Sequence, residues 1–368
     1  MSLTSRDVAL DTPSLVIDLD RMEANIRRWQ ATMDVAGVAL RPHVKTHKSP
    51  EIAQMQLAAG AVGITVAKVA EAEVFAAHGC RDIFIAFPVI GAEKWRRAAA
   101  LARDCRLTVG VDSALGARGL SAAAIAAGVT LRVRVEVDTG LQRAGLPVQE
   151  VGALCRQLLE LPGLELDGLF TFRSTGFAAA GKRTAEEIGA EEGSVMVELA
   201  RDLRAASIPI HSVSVGSTPT ARAAARVPGV TEVRPGTYIF GDYMQTGGGY
   251  IGEDEVALSI LCTVVSRPAP DLATIDGGSK TFSGDVLPER LGLRGYARVV
   301  GMDAYLERMS EEHGVVRLGP GINLHIGDRI ALHPIHVCTT VNLSDELIGL
   351  RNGQIERIFP VLARGKRT

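Results

Sequence analysis

The chain has 368 residues, 46% hydrophobic and 22% charged, with a formal net charge of −2. That length and composition suit one large soluble domain plus a smaller one. A near-neutral charge without a concentrated basic patch argues against nucleic-acid or membrane-surface binding, and no run of about 18 apolar residues is present to span a bilayer. The first residues show no apolar signal core. Five cysteines (Cys80, Cys105, Cys155, Cys262, Cys338) are odd in number and dispersed, so no disulfide framework is expected. Both features predict a cytoplasmic location.

From about residue 20 to residue 240, short β-rich runs alternate with Ala-rich amphipathic stretches. The runs fall at 39–45, 63–68, 82–88, 107–112, 130–138, 166–172, 213–217 and 231–235, and helical stretches include 50–59, 69–78, 93–103, 148–159 and 184–206. Eight βα units predict a TIM-type (β/α)8 barrel over residues 20–245 rather than a doubly wound sheet. Beyond Phe240 the helical period disappears. Gly247-Gly248-Gly249 reads as a hinge or turn, and strand-like runs follow at 256–265, 272–276, 295–300, 314–318, 328–332, 346–351 and 354–363. A β-rich C-terminal domain is therefore expected over 246–368, joined by an N-terminal strand at 12–18 within segment 1–19.

Strand alternation over 39–45 places Arg41, His43 and Lys45 on one face, ending in a cluster of cations. Burying such groups is costly, and a lysine beside other cations gives up its proton more easily, as Schiff-base chemistry with a carbonyl requires. Barrel active sites lie at the C-terminal ends of the strands. Lys45 ends the first predicted strand, Arg143 follows the fifth, Gly216-Ser-Thr-Pro-Thr220 the seventh, and Arg234-Pro-Gly-Thr-Tyr238 the eighth. The last two loops offer hydroxyls and backbone N–H groups where barrels commonly hold a phosphate. A phosphate there and a carbonyl at Lys45 describe pyridoxal phosphate. Ile275-Asp-Gly-Gly-Ser-Lys-Thr281 has glycines at the wrong spacing for a P-loop.

Pro42-His-Val-Lys45-Thr-His-Lys48, Val213-Ser-Val-Gly-Ser-Thr-Pro-Thr220, Arg234-Pro-Gly-Thr-Tyr238 and Glu312-His-Gly314 together resemble the D-threonine aldolase and D-serine dehydratase family, whose barrel is shared with alanine racemase. The resemblance runs over nearly the whole chain. It implies a fold-type III pyridoxal-phosphate enzyme with Lys45 bonded to the cofactor and catalytic, and Arg143 near the phenolic oxygen. Ser217, Thr218, Gly236 and Thr237 would surround the phosphate, and Arg234 would face the pyridine nitrogen. His43, Phe172, Gly216 and Tyr238 complete the expected cofactor-binding set. A protonated arginine makes the ring a weaker electron sink than a carboxylate partner would. By the same resemblance His336 and Cys338, read as two positions on one strand face, would bind a divalent metal that contacts the substrate's β-hydroxyl. The cysteine favours zinc over manganese or magnesium.

Phe172 stands where relatives carry a histidine; it can stack on the cofactor but cannot hydrogen-bond or move a proton. The resemblance implies a metal-assisted lyase for a D-configured β-hydroxy amino acid, working as a homodimer. Aldolase cleavage to glycine and an aldehyde is favoured by 341–343 and 363–366, whereas dehydration of D-serine or D-3-hydroxyaspartate is favoured by Cys338. A racemase would need a second acid or base that the sequence does not identify. A noncatalytic cofactor carrier would have no use for the β-domain.

Overall fold

The computed structural model describes residues 10–173 and 183–368. These form two compact units, one from 28–45, 50–236 and 365–368, the other from 10–27, 46–49 and 237–364. The chain passes from the first unit to the second between Gly236 and Thr237.

The described chain runs through β1 (Ser14–Asp18), which belongs to the second unit, before it builds the first. The first unit contains β2 (Ala39–Leu40), β3 (Ile64–Val66), β4 (Asp82–Pro88), β5 (Arg106–Val111), β6 (Leu131–Glu136), β7 (Leu164–Phe170), β8 (Ser212–Val215) and β9 (Glu232–Val233). They form one parallel sheet in the order β2-β9-β8-β7-β6-β5-β4-β3. Its two edges meet: the N–H of Val62 donates to the Leu40 carbonyl at 3.0 Å and that of Thr65 to the Pro42 carbonyl at 2.8 Å. The predicted eight-stranded barrel is present. Runs such as Ile83-Phe84-Ile85 and Val133 to Val135 are buried throughout, as strands covered on both faces must be.

The intervening helices have local causes. Ser113 Oγ accepts the Gly116 N–H to start Ala114–Ala127, and Gly128, at φ 66°, ends it in the left-handed conformation. Thr184 and Glu187 form a reciprocal capping box at the start of Ala185–Ala205.

The first predicted strand needs correction. Regular pairing stops at Leu40, although the N–H groups of Arg41 and His43 still donate to the carbonyls of Val233 and Pro235. Pro42 has no N–H to offer, and Val44–Thr46 then tightens into a 3-10 turn that carries Lys45 out of strand geometry. Arg41 does not join a common face with Lys45. Its guanidinium is buried in an ionic network: Nε lies 2.6 Å from Glu232 and Nη1 2.6 Å from Asp82. Arg134 bridges Glu232 and Asp167, each at 2.6 Å. Burial opposes a charge on Glu232, but the two guanidiniums hold its carboxyl well below the usual range.

The second unit adds β10 (Leu258–Ala269), β11 (Leu272–Ile275), β12 (Ala297–Val299), β13 (Ala304–Met309), β14 (Gly314–Leu318), β15 (Arg329–Pro334), β16 (Glu346–Arg351) and β17 (Gln354–Pro360). The sheet runs β11-β14-β13-β12-β15-β10-β1-β16-β17, and β11 also pairs with β10. β10 makes this closure possible because it is 12 residues long: Leu258 to Leu261 pair with β1, while Val264 to Ala269 pair with β11. Six strands therefore close on themselves, with β1, β16 and β17 as a side sheet. The N-terminal strand joins this unit, antiparallel to β10 and parallel to β16.

Candidate functional site

In the barrel unit, the loops after β2 and β6 bring two cations against an aromatic ring from the loop after β7. Lys45 Nζ lies 5.6 Å from the Phe172 ring centroid, and the Arg143 guanidinium carbon 4.7 Å from it. His43 is the fourth member. Burial, with the charges of Lys45, Arg234 and Arg143 added, holds its imidazole well below the ordinary histidine range, so it stays neutral. The Lys45 N–H points at His43 Nδ1, 3.4 Å away. Two other lysines are placed differently: Lys68 Nζ sits 3.5 Å from the centroid of Phe87, and Lys48 belongs to the second unit.

Arg234 is fully enclosed. Its Nη1 donates to Ser214 Oγ at 2.5 Å and its Nη2 to the Thr171 carbonyl. Ser214 in turn donates to Glu232 at 2.6 Å, so the barrel's ionic network reaches the cation at its mouth. Burial lowers the Arg234 pKa to about 10, which leaves it charged at neutral pH.

The loop after β8 is shaped for an anion. Gly216 has φ +82°, and a Cβ there would come within 2.9 Å of Ala221 Cα. Ser217 N–H donates to Thr220 Oγ1 at 2.9 Å, and Thr218 Oγ1 is buried without a hydrogen-bond partner. An orphan hydroxyl on a closely folded backbone loop fits a phosphate oxygen. Of the remaining expected residues, Gly236 ends the barrel unit, while Thr237 and Tyr238 begin a 3-10 turn, Thr237–Ile239, in the other.

The β-rich unit holds the second constellation, with a correction to its local structure. His336 and Cys338 do not share a strand face: His336 caps the short helix Val337–Val341, and Cys338 lies in its first turn. The two side chains still meet by a hydrogen bond. His336 Nδ1 lies 2.7 Å from Asp285 Oδ2, and Thr339 donates to the other Asp285 oxygen at 2.8 Å. Burial disfavours a charged imidazole, yet Cys338 and Asp285 outweigh it and raise His336 well above its ordinary value. Cys338 Sγ is 3.2 Å from Thr46 Oγ1, a residue of this same unit that directly follows Lys45 in the chain. Buried Asp242 accepts the N–H groups of Val337 and Gln245 and fixes the turn. Among the described residues, no group of three or more His, Cys, Asp or Glu side chains is arranged around a metal position.

Sequence reasoning overlooked Asp285, Asp242, Ser214 and two buried glutamates, Glu136 and Glu192. Burial pushes both glutamate carboxyls up to about 7. Of these, only Glu192 leaves a local signal, being a charge at a core-facing position of an amphipathic helix.

A barrel carrying a lysine, an arginine at the end of the last strand and a phosphate-shaped loop, together with a separate β-unit, defines the alanine-racemase class of pyridoxal-phosphate enzymes. Residues 17–244 match the family described as "Alanine racemase, N-terminal domain", and 257–350 match "Putative serine dehydratase domain". The chain is 37% identical over 361 residues to a D-threonine aldolase of an Arthrobacter species, covering 97% of this chain and 93% of the relative. The solved D-threonine aldolase of Filomicrobium marinum superposes with a TM-score of 0.88 at 30% identity, over 98% of this chain and 97% of that one. D-threo-3-hydroxyaspartate dehydratase from Delftia sp. HT23 gives 0.87 at 35% identity, over 98% of each chain. Two solved mutants of a D-threo-3-hydroxyaspartate dehydratase carry a histidine-to-alanine and, two positions later, a cysteine-to-alanine replacement, the latter in the metal-free form. Each gives a TM-score of 0.87 at 34% identity over 98% of this chain, and over 96% and 98% of the mutant chains respectively. The chain therefore belongs to the D-threonine aldolase and D-serine dehydratase family of lyases.

Proposed function

We propose that the chain is a pyridoxal-phosphate-dependent, metal-assisted lyase that cleaves a D-β-hydroxy amino acid to glycine and an aldehyde. The observation that carries the metal-assisted reading is the His336–Cys338 pair. The carboxylate of Asp285 occupies His336 Nδ1 and leaves Nε2 as the ligand nitrogen, the arrangement that orients metal-binding histidines. An imidazole and a thiolate suit zinc. A metal held by these two side chains would keep coordination positions for water or substrate, as a catalytic site requires.

When bound, pyridoxal phosphate withdraws electrons from the substrate's Cα, and the metal polarises its β-hydroxyl. The residues' own tasks follow from their surroundings. Lys45 would hold the cofactor's aldehyde carbon, and its amine would take or return a proton at the substrate's Cα. Arg143 and Phe172, close to Lys45, would orient the cofactor ring, while Ser217 and Thr218 would bind its phosphate. Arg234, fixed by Ser214 and Thr171, would offer the ring nitrogen a permanent cation. Neutral His43 adds no further charge to this cluster.

Dehydration is the second reading, supported by a specific observation. The replaced histidine and cysteine of the dehydratase are spaced as His336 and Cys338 are here. A screen of D-threonine, D-serine and D-3-hydroxyaspartate separates the two: aldehyde and glycine release supports the aldolase, and ammonia release supports the dehydratase. Turnover of none of the three would refute both. Homodimeric assembly in the cytoplasm completes the proposal, and sedimentation showing a fully active monomer at assay concentration would refute the dimer.

A further inference from the structure

Helix Ala185–Ala205 turns one charged side chain into its core stripe. The buried positions are Ile188, Gly189, Glu192, Gly193, Met196, Leu199, Ala200 and Leu203, and Glu192 is 0% exposed. The two glycines let the helix approach closely. A Cβ at Gly189 would lie 2.4 Å from the Thr220 carbonyl oxygen, and one at Gly193 2.8 Å from Val227 Cγ2. Glu192 therefore reaches the backbone of the anion loop. Its Oε1 accepts the Gly216 N–H at 3.2 Å and the Arg173 N–H at 3.3 Å, and its Oε2 accepts the Thr220 hydroxyl at 3.2 Å. Thr220 Oγ1 also accepts the Ser217 N–H and contacts Ser217 Oγ at 3.0 Å. One carboxyl group thus ties the loop after β7 to the loop after β8.

We propose that Glu192 is the positioning residue of the phosphate cradle and that it works as a carboxylic acid, so that capture of the cofactor's phosphate takes up one proton from solvent. The inference rests on the pyridoxal-phosphate reading of the site. A phosphate in the loop after β8 would place its negative charge beside a carboxyl group shut off from water, where two like charges cannot both persist. Protonation resolves the conflict without dismantling the loop. Oε1 continues to accept from Gly216 and Arg173, while the new Oε2–H donates to Thr220 Oγ1, whose own hydroxyl proton turns to Ser217 Oγ, 3.0 Å away.

The charged surroundings are consistent with this. Arg234, from the loop after β9, is the cation that opposes neutralisation of Glu192, together with the Gly216 and Arg173 amides and the Thr220 hydroxyl. Burial outweighs them and raises the carboxyl to about 7. The neighbouring Glu191 is engaged by the guanidiniums of Arg173 and Arg183.

The test titrates cofactor-stripped protein with pyridoxal phosphate and with pyridoxal between pH 6 and 8.5, following cofactor absorbance. In the wild type the preference for the phosphorylated form should fall about tenfold over the upper part of this range, as linkage of one proton requires. Glu192→Gln, neutral at every pH, should lose that fall and bind pyridoxal phosphate about tenfold more tightly than wild type at pH 8.5. Glu192→Ala should lose the phosphate preference while its pyridoxal affinity is unchanged. If Glu192→Ala does not fold, the comparison of wild type with Glu192→Gln still decides. Parallel pH profiles for these two would overturn the inference alone. A wild type with no preference for the phosphorylated form would overturn the cofactor reading and the inference together.

Discussion

Glu232→Gln should destabilise the barrel strongly while leaving its interior shape intact. In the native protein, 4% exposed Glu232 faces Arg41 Nε, Arg134 Nη1 and Ser214 Oγ, each at 2.6 Å. Removing one partner of a buried ionic group costs about 3–5 kcal/mol, because the partner charges stay behind without compensation. Arg41 and Arg134 keep Asp82 and Asp167, which places the expected loss near the lower end, about 3 kcal/mol. With a urea slope of roughly 2–3 kcal/mol per molar, the midpoint should fall by about 1–1.5 M. Tryptophan fluorescence isolates this transition, since both tryptophans, Trp29 and Trp95, lie in the barrel unit. The pH dependence has a definite sign. A depressed carboxyl stabilises the fold above its ordinary value of 4.5 and loses that contribution as pH falls toward its folded value. The wild-type advantage should therefore be constant from pH 6 to 8 and shrink below about 4.5. A midpoint change under about 0.3 M at pH 7, or an advantage that grows on acidification, would refute the argument.

Borohydride reduction of the holoenzyme should trap the cofactor on Lys45, and Lys45→Ala should abolish both the visible cofactor band and turnover. Peptide mapping that placed the adduct on Lys48 or Lys68 would sink that assignment. Chelation, His336→Ala or Cys338→Ala should leave the cofactor spectrum intact and lower turnover by about 100-fold or more, with zinc restoring the chelated enzyme. Cys338→Asp should shift metal preference toward manganese or magnesium; full activity in metal-free wild type would falsify the metal-assisted mechanism.

The barrel was legible because eight short β-rich runs alternate with amphipathic helical stretches, even though several strands carry buried polar residues such as Arg134, Asp167 and Glu232. Irregular strands were harder to read. Ala304–Met309 reads Ala-Tyr-Leu-Glu-Arg-Met, good helix formers for the most part, and a register shift between Leu306 and Arg308 spoils its alternation. Ala39–Leu40 was overextended because apolar and cationic residues continue past Pro42, while the backbone turns at Val44. At the site, Lys45, Arg234 and the loop after β8 lie in compact segments that show their chemistry locally. Asp285 is 51 residues from the histidine it orients, and Ser214 is 20 from Arg234. Such partners are chosen by topology, and single-sequence spacing cannot reveal them.

How the proposed roles divide between the units bears on which chemistry the chain performs. The fold alone does not select a reaction. The barrel unit concentrates positive charge: Lys45, Arg143 and Arg234 surround a neutral histidine. Those groups suit an anionic cofactor and a substrate carboxylate, and they would serve a racemase as well as a lyase. What distinguishes a lyase is activation of the β-hydroxyl, for which Phe172 offers no proton and Arg234 no carboxylate. Under the proposed reading, that task falls to His336 and Cys338, with Asp285 on the imidazole. Changes in the barrel unit should therefore alter cofactor binding first, whereas changes to the His336–Cys338 pair should alter the reaction while the cofactor stays bound.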